Sequence, residues 1–143
     1  MKILIINGPN MNLLGLRSPK HYGILTLNEL NELLRNTFKQ INFTFFQSNH
    51  EGLIVDQIQL ATSYDAIIIN PAAFTHYSIA IRDALEICRI PKVEVHLSNL
   101  DQREGFRQVN LIKDVCDRTI MGLKENSYIE AVNYLIKEKR HND

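Results

Sequence analysis

The residues of this sequence best suited to chemistry are a tyrosine, a histidine and several arginines that follow short apolar runs. Arg17 and Tyr22 share one polar stretch, His96 ends the fourth apolar run, and Arg103 and Arg107 come soon afterwards. A positioned tyrosine and histidine can serve as base and acid. Arginines and amides bind the carboxylate and hydroxyl groups of small molecules. The pattern therefore indicates proton transfer on a small, hydroxylated carboxylate.

Other common site types lack their sequence patterns here. There is no Gly-x-Gly-x-x-Gly after the first apolar run, no P-loop Gly-Lys-Ser/Thr and no Gly-x-Ser-x-Gly elbow. A phospho-acceptor receiver domain would need acidic residues where Asn7 and Asn70 stand. The histidines have neither metal-ligand spacing nor a cysteine partner, so we expect no metal. They are His21, His50, His76, His96 and His141. Because the nucleotide-binding motifs are also absent, we expect no cofactor.

The composition is that of one ordinary globular domain, residues 1–143, with 45% hydrophobic and 22% charged residues. The formal net charge is zero, which argues against a nucleic acid or an anionic membrane as partner. No apolar run has the length of a membrane span, and the first is too short for a signal peptide. Cys88 and Cys116 lie in apolar segments. We expect both to be buried thiols of a protein that works in the reducing cytoplasm.

Short apolar runs alternate with segments of helical periodicity. The predicted strands are Lys2–Ile6, Phe43–Phe46, Ala66–Ile69, Lys92–Leu97 and Thr119–Gly122. Four helices are predicted. The first begins at the Thr26–Glu29 capping box, the second runs from Glu51 to Ser63 and the last runs from Ser127 to Lys139. The third carries on one face Ala80, Ile81, Ala84, Leu85 and Cys88. The tail from about residue 138 is expected to fray. This alternation predicts an α/β, flavodoxin-like three-layer sandwich whose five-stranded parallel sheet has the order 2-1-3-4-5.

The sheet order also predicts where a ligand binds. In open parallel sheets, ligands bind beyond the carboxyl ends of the strands, at the point where the strand order reverses. Here that point lies between strands 1 and 3. Asn10 and Asn12 follow strand 1, and Asn70 with His76 follows strand 3. We expect residues 8–25 to form a loop without a helix, long enough to act as a lid or binding loop.

Four stretches around these residues resemble one known family. They are NGPNMNLLGLRSPKHYG, QSNHEG, INPAAFTHYSIAIRDAL and VEVHLSNLDQREGFR, and together they cover most of the chain from Ile3 to about Arg107. In order and spacing they are similar to the type II 3-dehydroquinate dehydratases. The resemblance implies a lyase that dehydrates 3-dehydroquinate by trans elimination through an enolate. It also implies that the reaction needs neither a metal nor a covalent imine, and that the enzyme is a dodecamer, a tetramer of trimers.

The resemblance also implies a role for each matching residue. Tyr22 resembles the general base, and Arg17 the loop arginine that favours its tyrosinate, because an ordinary tyrosine, with a pKa near 10, needs a nearby cation to act as a base. Asn10 resembles the asparagine that positions a water against the enolate. His96 resembles the general acid, oriented by Glu94. The implied substrate-binding positions are Asn70, His76, Leu97 through its backbone, Ser98, Arg107 and, from an adjacent subunit, Asp83.

The chain departs from the family pattern at three places near the site. Tyr77 stands where a small hydroxyl residue is usual, which could change how His76 is held. Gly105 stands beside the arginines, and LKENS, residues 123–127, replaces a glycine-rich turn after strand 5.

Several alternatives stay open from the sequence. Asn12 fits a simple turn residue. His50 and Glu51 fit caps of the second helix better than ligands of a substrate. Without the resemblance, Asp83 would be an exposed helix residue paired with Arg82. The chain could also be a binding protein that has lost the reaction, or a dehydratase or isomerase of another cyclic polyol acid. Biosynthesis of aromatic compounds and quinate breakdown both use the same step.

Overall fold

A computed structural model describes residues 1–143 and contains one parallel sheet of five strands. The strands are β1 (Lys2–Asn7), β2 (Asn42–Gln47), β3 (Ala66–Asn70), β4 (Lys92–His96) and β5 (Arg118–Met121). Their order is β2-β1-β3-β4-β5, and every pairing is parallel. The predicted strand order and α/β fold are therefore confirmed.

The chain forms six α-helices. They are α1 (Pro19–Tyr22), α2 (Leu27–Thr37), α3 (Glu51–Gln59), α4 (Ile79–Ile87), α5 (Gly105–Gln108) and α6 (Asn126–Asn142). Of these, α2, α3, α4 and α6 cover the two faces of the sheet. Ile3 and Ile5 pack with apolar residues of α2 and α6, whereas Leu4 and Ile6 pack with those of α3 and α4. This division follows from the strand geometry, in which successive side chains point to opposite faces. No helix is both long enough and apolar enough to cross a membrane.

The helix predictions are confirmed at one helix start and differ from the structure in several other details. The capping box at Thr26 and Glu29 is present. α3 ends at Gln59, four residues before the predicted end, and a separate 3-10 turn covers Ala61–Ser63. On the predicted apolar face of α4, Ile81, Ala84 and Leu85 are buried, whereas Ala80 is exposed. The segment from residue 138, which was expected to fray, is helical as far as Asn142.

Both cysteines were expected to be buried, and both are half-buried instead. Burial, with a smaller effect of the Glu94 charge, raises the pKa of the Cys116 thiol to about 12. The Cys116 thiol therefore stays protonated at neutral pH.

The loop after β1 is not free of helix, as was expected. A 3-10 turn covers Met11–Leu13, and α1 follows at Pro19. Proline suits the first position of a helix because it lacks only an N–H that would be unpaired there. Asn10 precedes the 3-10 turn with φ of 67°, a left-handed conformation that asparagine tolerates better than most residues. The loop is therefore built from two short helical turns.

Gly8 allows the loops after β1 and β3 to approach closely. A Cβ atom at Gly8 would lie 2.3 Å from the Pro71 carbonyl oxygen, which leaves no room for a side chain. The Gly8 N–H donates to the Asn70 carbonyl at 2.8 Å. Asn7 and Asn70 are also register partners in the β1–β3 pairing. Two amide side chains are thereby brought to one place at the carboxyl edge of the sheet.

Candidate active site

A cavity that opens to solvent lies at the carboxyl edge of the sheet. Its walls come from the loop after β1, the loop after β3, and the end of β4 with the segment that follows it. The lining residues are Met11, Arg17, Tyr22, Asn70, Ala72, Ala73, His76, His96, Leu97, Ser98, Leu100, Arg103 and Arg107. The cavity lies where the reversal of strand order places ligands in this type of sheet.

The Tyr22 hydroxyl is held between two arginines. Arg17 Nη2 donates to Tyr22 Oη at 2.9 Å, and Arg103 Nη1 donates to the same oxygen at 3.2 Å. The Arg17 guanidinium also lies 3.8 Å from the centroid of the tyrosine ring. Two cationic donors on one phenolic oxygen can stabilise negative charge that develops there. This arrangement suits a base.

His96 is held by a buried carboxylate. Glu94 and His96 are two residues apart on β4, so their side chains point to the same face of the sheet. His96 Nε2 lies 2.5 Å from Glu94 Oε2, and Glu94 is fully buried. The Glu94 carboxylate therefore fixes the imidazole ring and leaves Nδ1 for a ligand.

His76 is held by the Val109 carbonyl, which lies 2.8 Å from His76 Nδ1. Burial lowers the pKa of His76, as do the charges of His96, Arg107 and Arg103, while the Val109 bond opposes them. His76 is therefore neutral near pH 7. The Val109 carbonyl can only accept, so the ring proton is on Nδ1 and Nε2 is left as an acceptor.

Asn70 is oriented by a tyrosine from the last helix. Asn70 Nδ2 donates to Tyr128 Oη at 3.0 Å, and the Tyr128 hydroxyl donates to Asn7 Oδ1 at 2.5 Å. Asn70 Oδ1 accepts from the Ala72 N–H at 3.0 Å. Burial raises the pKa of Tyr128 far above its ordinary value, so the hydroxyl keeps its proton for Asn7. The amide orientation at the cavity wall is thereby fixed.

The remaining polar wall comes from the segment after β4. Ser98 Oγ accepts from Arg103 Nη1 at 3.0 Å, so one arginine joins Ser98 to Tyr22. The Leu97 carbonyl accepts from the Lys124 N–H at 3.0 Å. Arg107 Nε donates to Glu104 at 2.7 Å. The cavity thus combines cationic groups, hydroxyls and an amide around a tyrosine and a histidine.

Comparisons with known proteins agree with this geometry. The family model described as dehydroquinase class II matches residues 1–136. The chain belongs to this family. It is 48% identical over 139 residues to the 3-dehydroquinate dehydratase of Thermotoga neapolitana, covering 96% of this chain and 95% of that one. It is 50% identical over 141 residues to that of Francisella tularensis subsp. mediasiatica, covering 94% and 97%. The solved type II dehydroquinase of Butyrivibrio crossotus superposes with a TM-score of 0.91 at 46% identity, covering 94% and 97%.

Two of the residues predicted for this dehydroquinase site do not line the cavity. Asn10 is exposed, its N–H donates to Asn49 Oδ1 at 3.0 Å, and its side chain does not cap the turn that follows. Asp83 is exposed on α4 and makes neither a hydrogen bond nor an ion pair within the chain. The pairing of Asp83 with Arg82 is therefore wrong, because Arg82 Nη1 donates to the Leu111 carbonyl at 2.6 Å.

The QSNHEG stretch of this dehydroquinase supports the loop after β1. Gln47 Nε2 donates to the Gly8 carbonyl at 3.1 Å and lies 3.4 Å from Asn12 Oδ1. Asn12 is therefore a loop residue outside the cavity. His50 stands at the N-cap of α3, as predicted, where its carbonyl accepts from the Ile54 N–H at 3.3 Å and its side chain makes no capping bond.

The three departures from the family pattern leave the cavity walls intact. Tyr77 is 62% exposed and its ring packs edge-on against Phe74, while His76 is held by Val109. Gly105 begins α5, and a Cβ atom there would meet nothing within 4 Å. Lys124 adopts the left-handed conformation, with φ of 53°, in the turn where glycine is more usual.

Sequence reasoning gave Arg103 only the general carboxylate-binding role of the arginines and did not identify Tyr128 as a site residue. Arg103 lies within the matched stretch after β4, so its two contacts could have been expected from the dehydroquinase resemblance. Tyr128 was predicted only as an apolar residue of the last helix, and its buried hydroxyl was the available signal, because a buried tyrosine usually has a hydrogen-bond partner.

Tyr128→Phe is expected to lower the free energy of unfolding by about 1–3 kcal/mol. The substitution leaves Asn7 Oδ1 and one Asn70 N–H buried without partners. It should also lower kcat/KM, because Asn70 would no longer be held at the cavity wall. Urea denaturation and steady-state kinetics measure both effects. Tyr134→Phe, on the same helix but outside the cavity, is the matched control. A Tyr128→Phe protein with normal stability and kinetics would contradict this role.

Proposed function

We propose that this chain catalyses the reversible dehydration of 3-dehydroquinate to 3-dehydroshikimate. The observation that carries the proposal is one cavity in which a tyrosine oxygen accepts from two arginines and a histidine is paired with a buried glutamate. An elimination needs a base for one group and an acid for the other. The names of the relatives point to the same substrate.

The proposed first step uses Tyr22 as the base. Tyr22 Oη removes a proton from C2 of 3-dehydroquinate, and the electrons of the broken C–H bond pass to the C3 carbonyl oxygen to give an enolate. Arg17 and Arg103 favour the tyrosinate that this step requires, since both donate to its oxygen. Asn10 would help to hold a water against the enolate oxygen, and only the family resemblance supports that role.

The proposed second step uses His96 as the acid. The enolate electrons return, a C1=C2 double bond forms and the C1–O bond breaks. His96 gives a proton from Nδ1 to the departing hydroxyl, which leaves as water. The Glu94 carboxylate stabilises the imidazolium that delivers this proton. Tyr22 then loses its proton to solvent and His96 takes one up, which restores both groups.

The other polar groups of the cavity are assigned to substrate binding. They are Asn70, His76, the backbone at Leu97, Ser98 and Arg107. The Arg107 guanidinium suits the substrate carboxylate, and His76 Nε2 suits a substrate hydroxyl as acceptor. The scheme assigns no role to a metal, a cofactor or a lysine.

Incubation with 3-dehydroquinate tests the proposal directly, because the conjugated enone product absorbs in the ultraviolet. We expect product formation that EDTA does not reduce and no lysine adduct after borohydride treatment. Binding without turnover would favour a protein that has lost the reaction. Turnover of another cyclic polyol acid, but not of 3-dehydroquinate, would favour a different dehydratase or isomerase. Activity that is lost in EDTA and restored by a divalent ion would overturn the metal-free scheme.

We further propose that the enzyme is an oligomer, a dodecamer built as a tetramer of trimers. The exposed face of α4 supports a subunit contact there. Ile79, Asp83 and Ile87 are spaced four residues apart and therefore share one face of that helix. Ile79 is 63% and Ile87 is 72% exposed, and the Asp83 carboxylate between them has no partner in its own chain. In this proposal, Asp83 reaches the substrate site of a neighbouring subunit.

Mixed oligomers of Asp83→Ala and Tyr22→Phe are expected to recover activity that neither variant has alone. Some sites would then combine an intact Tyr22 from one subunit with an intact Asp83 from the next. Two differently tagged variants can be co-expressed, purified through both tags and assayed. Co-assembly without recovered activity would place Asp83 outside every shared site.

We place the enzyme in the cytoplasm, and its two free thiols fit a reducing compartment. Its reaction serves the shikimate pathway of aromatic amino-acid biosynthesis, with quinate breakdown as the alternative. Deletion of the gene separates these roles, since only the first predicts a requirement for aromatic amino acids.

A further inference from the structure

Residues Val109 to Leu111 bind the back of the site at three successive positions. The Val109 carbonyl lies 2.8 Å from His76 Nδ1, and the Leu111 N–H donates to the Thr75 carbonyl at 3.0 Å. Between them, Asn110 Nδ2 donates to Glu94 Oε2 at 2.6 Å. This three-residue segment thus contacts His76 itself, the neighbouring Thr75 backbone and the glutamate that holds His96.

Glu94 is surrounded by donors alone. Asn110 Nδ2 and His96 Nε2 both lie near Oε2, and Thr119 Oγ1 donates to Oε1 at 2.7 Å. Thr119 is the register partner of Glu94 in the β4–β5 pairing, which places their side chains beside each other on one face. These three contacts hold both oxygens of this fully buried carboxyl group in place.

The orientation of the Asn110 amide is determined by its other end. Asn110 Oδ1 accepts from the N–H groups of Ile112 at 3.0 Å and Lys113 at 3.1 Å. An amide flipped by 180° would lose both bonds and set an oxygen against the Glu94 carboxylate. Nδ2 is therefore the atom that faces Glu94.

We propose that Asn110 and Thr119 are positioning residues for the acid step of the dehydration. Through their donors they hold the Glu94 side chain in place, so that Glu94 accepts a hydrogen bond from His96 Nε2–H and directs Nδ1 to the departing hydroxyl. This inference rests on the proposed function. The proposed role of Asn110 is additional to a local one, in which its Oδ1 caps the turn at Ile112 and Lys113.

Asn110→Asp separates the two roles because it keeps the capping oxygen and replaces only the donor. The new carboxyl group would lie beside Glu94, and two carboxyl groups so close together share one proton. That proton would compete with His96 Nε2–H for the Glu94 oxygen. We expect elimination to slow about 10–100-fold, the factor that corresponds to the loss of one hydrogen bond to a charged group. The ratio of C2 proton exchange to elimination, measured with C2-deuterated 3-dehydroquinate, should rise about tenfold or more, because the Tyr22 step is untouched.

Variants of Thr119 provide an independent test if Asn110→Asp folds poorly. Thr119→Val is close to isosteric and removes the donor, so it should raise the same ratio about threefold to tenfold. Thr119→Ser keeps the hydroxyl and should restore the wild-type ratio. Asn99→Asp is the charge control, because Asn99 Oδ1 caps the Asp101 N–H at 3.0 Å and its side chain makes no bond to Glu94. It should leave the ratio unchanged.

A spectroscopic measurement separates this inference from the proposed function. With ¹⁵N-labelled histidine and no substrate, the His96 Nε2 proton should resonate far downfield in the wild type and move upfield in Asn110→Asp and Thr119→Val. A wild type inactive on 3-dehydroquinate would overturn the proposed function. With an active wild type, an unchanged ratio and resonance in these variants would overturn the inference. An equal loss of exchange and elimination would also overturn it, since that result indicates a purely structural role.

Discussion

Tyr22→Phe is expected to lower kcat for the dehydration of 3-dehydroquinate about 1,000-fold, within the range for loss of a general base. The substitution removes one oxygen, the atom to which both Arg17 and Arg103 donate. The ring remains, so the packing of Tyr22 and the stacking of Arg17 against it are kept. KM should therefore change much less than kcat.

Stability and exchange measurements distinguish a chemical effect from a folding defect in this variant. Tyr22 is half-buried in α1, outside the buried core, so the free energy of unfolding should change by less than about 1 kcal/mol. Exchange of the C2 proton should be lost together with elimination, because both begin with the same proton transfer. Tyr134→Phe should leave both rates unchanged. Wild-type elimination by Tyr22→Phe would require another base.

His96→Gln is expected to lower elimination about 100- to 10,000-fold while C2 proton exchange continues. Glutamine can still donate an N–H to Glu94, so the buried carboxylate is not left without that partner, as it would be after His96→Ala. What the variant lacks is a proton that can be given to the departing hydroxyl. The enolate should therefore form and return to substrate.

The ratio of exchange to elimination is the measurement that tests this assignment. It should rise in His96→Gln and remain low in the wild type, with thermal unfolding as the check on folding. Parallel loss of both reactions in a folded protein would mean that His96 acts before the enolate forms. Elimination at the wild-type rate would require another acid.

The sheet and most of the cavity wall could be predicted from the sequence because each depends on local patterns. The run of β-branched residues in β1 and β3 predicts buried parallel strands, and their order predicts the edge at which Asn70 and His96 meet. The inward faces of α3 and α6 were likewise predicted, through Ile54 and Val132.

The hydrogen bonds behind the site could not be predicted in the same way. Tyr128 and Asn7 are 121 positions apart, and Asn110 and Glu94 are 16 apart. No periodicity in the sequence relates such pairs, since they meet only after the helices pack on the sheet. Proline at the start of α1 was a local signal, but four residues of helix are too few to produce a pattern.

The bond between Tyr128 and the two asparagines has a consequence for when the enzyme becomes active during synthesis. The strands that carry Asn7, Asn70 and His96 are all made before α6 begins at Asn126. A nascent chain that ends after β5 could pair its strands, but its Asn70 amide would lack the tyrosine that orients it. Such a chain would also expose the face of Ile3 and Ile5 that α6 covers. Activity should therefore appear late, only after the final helix has packed.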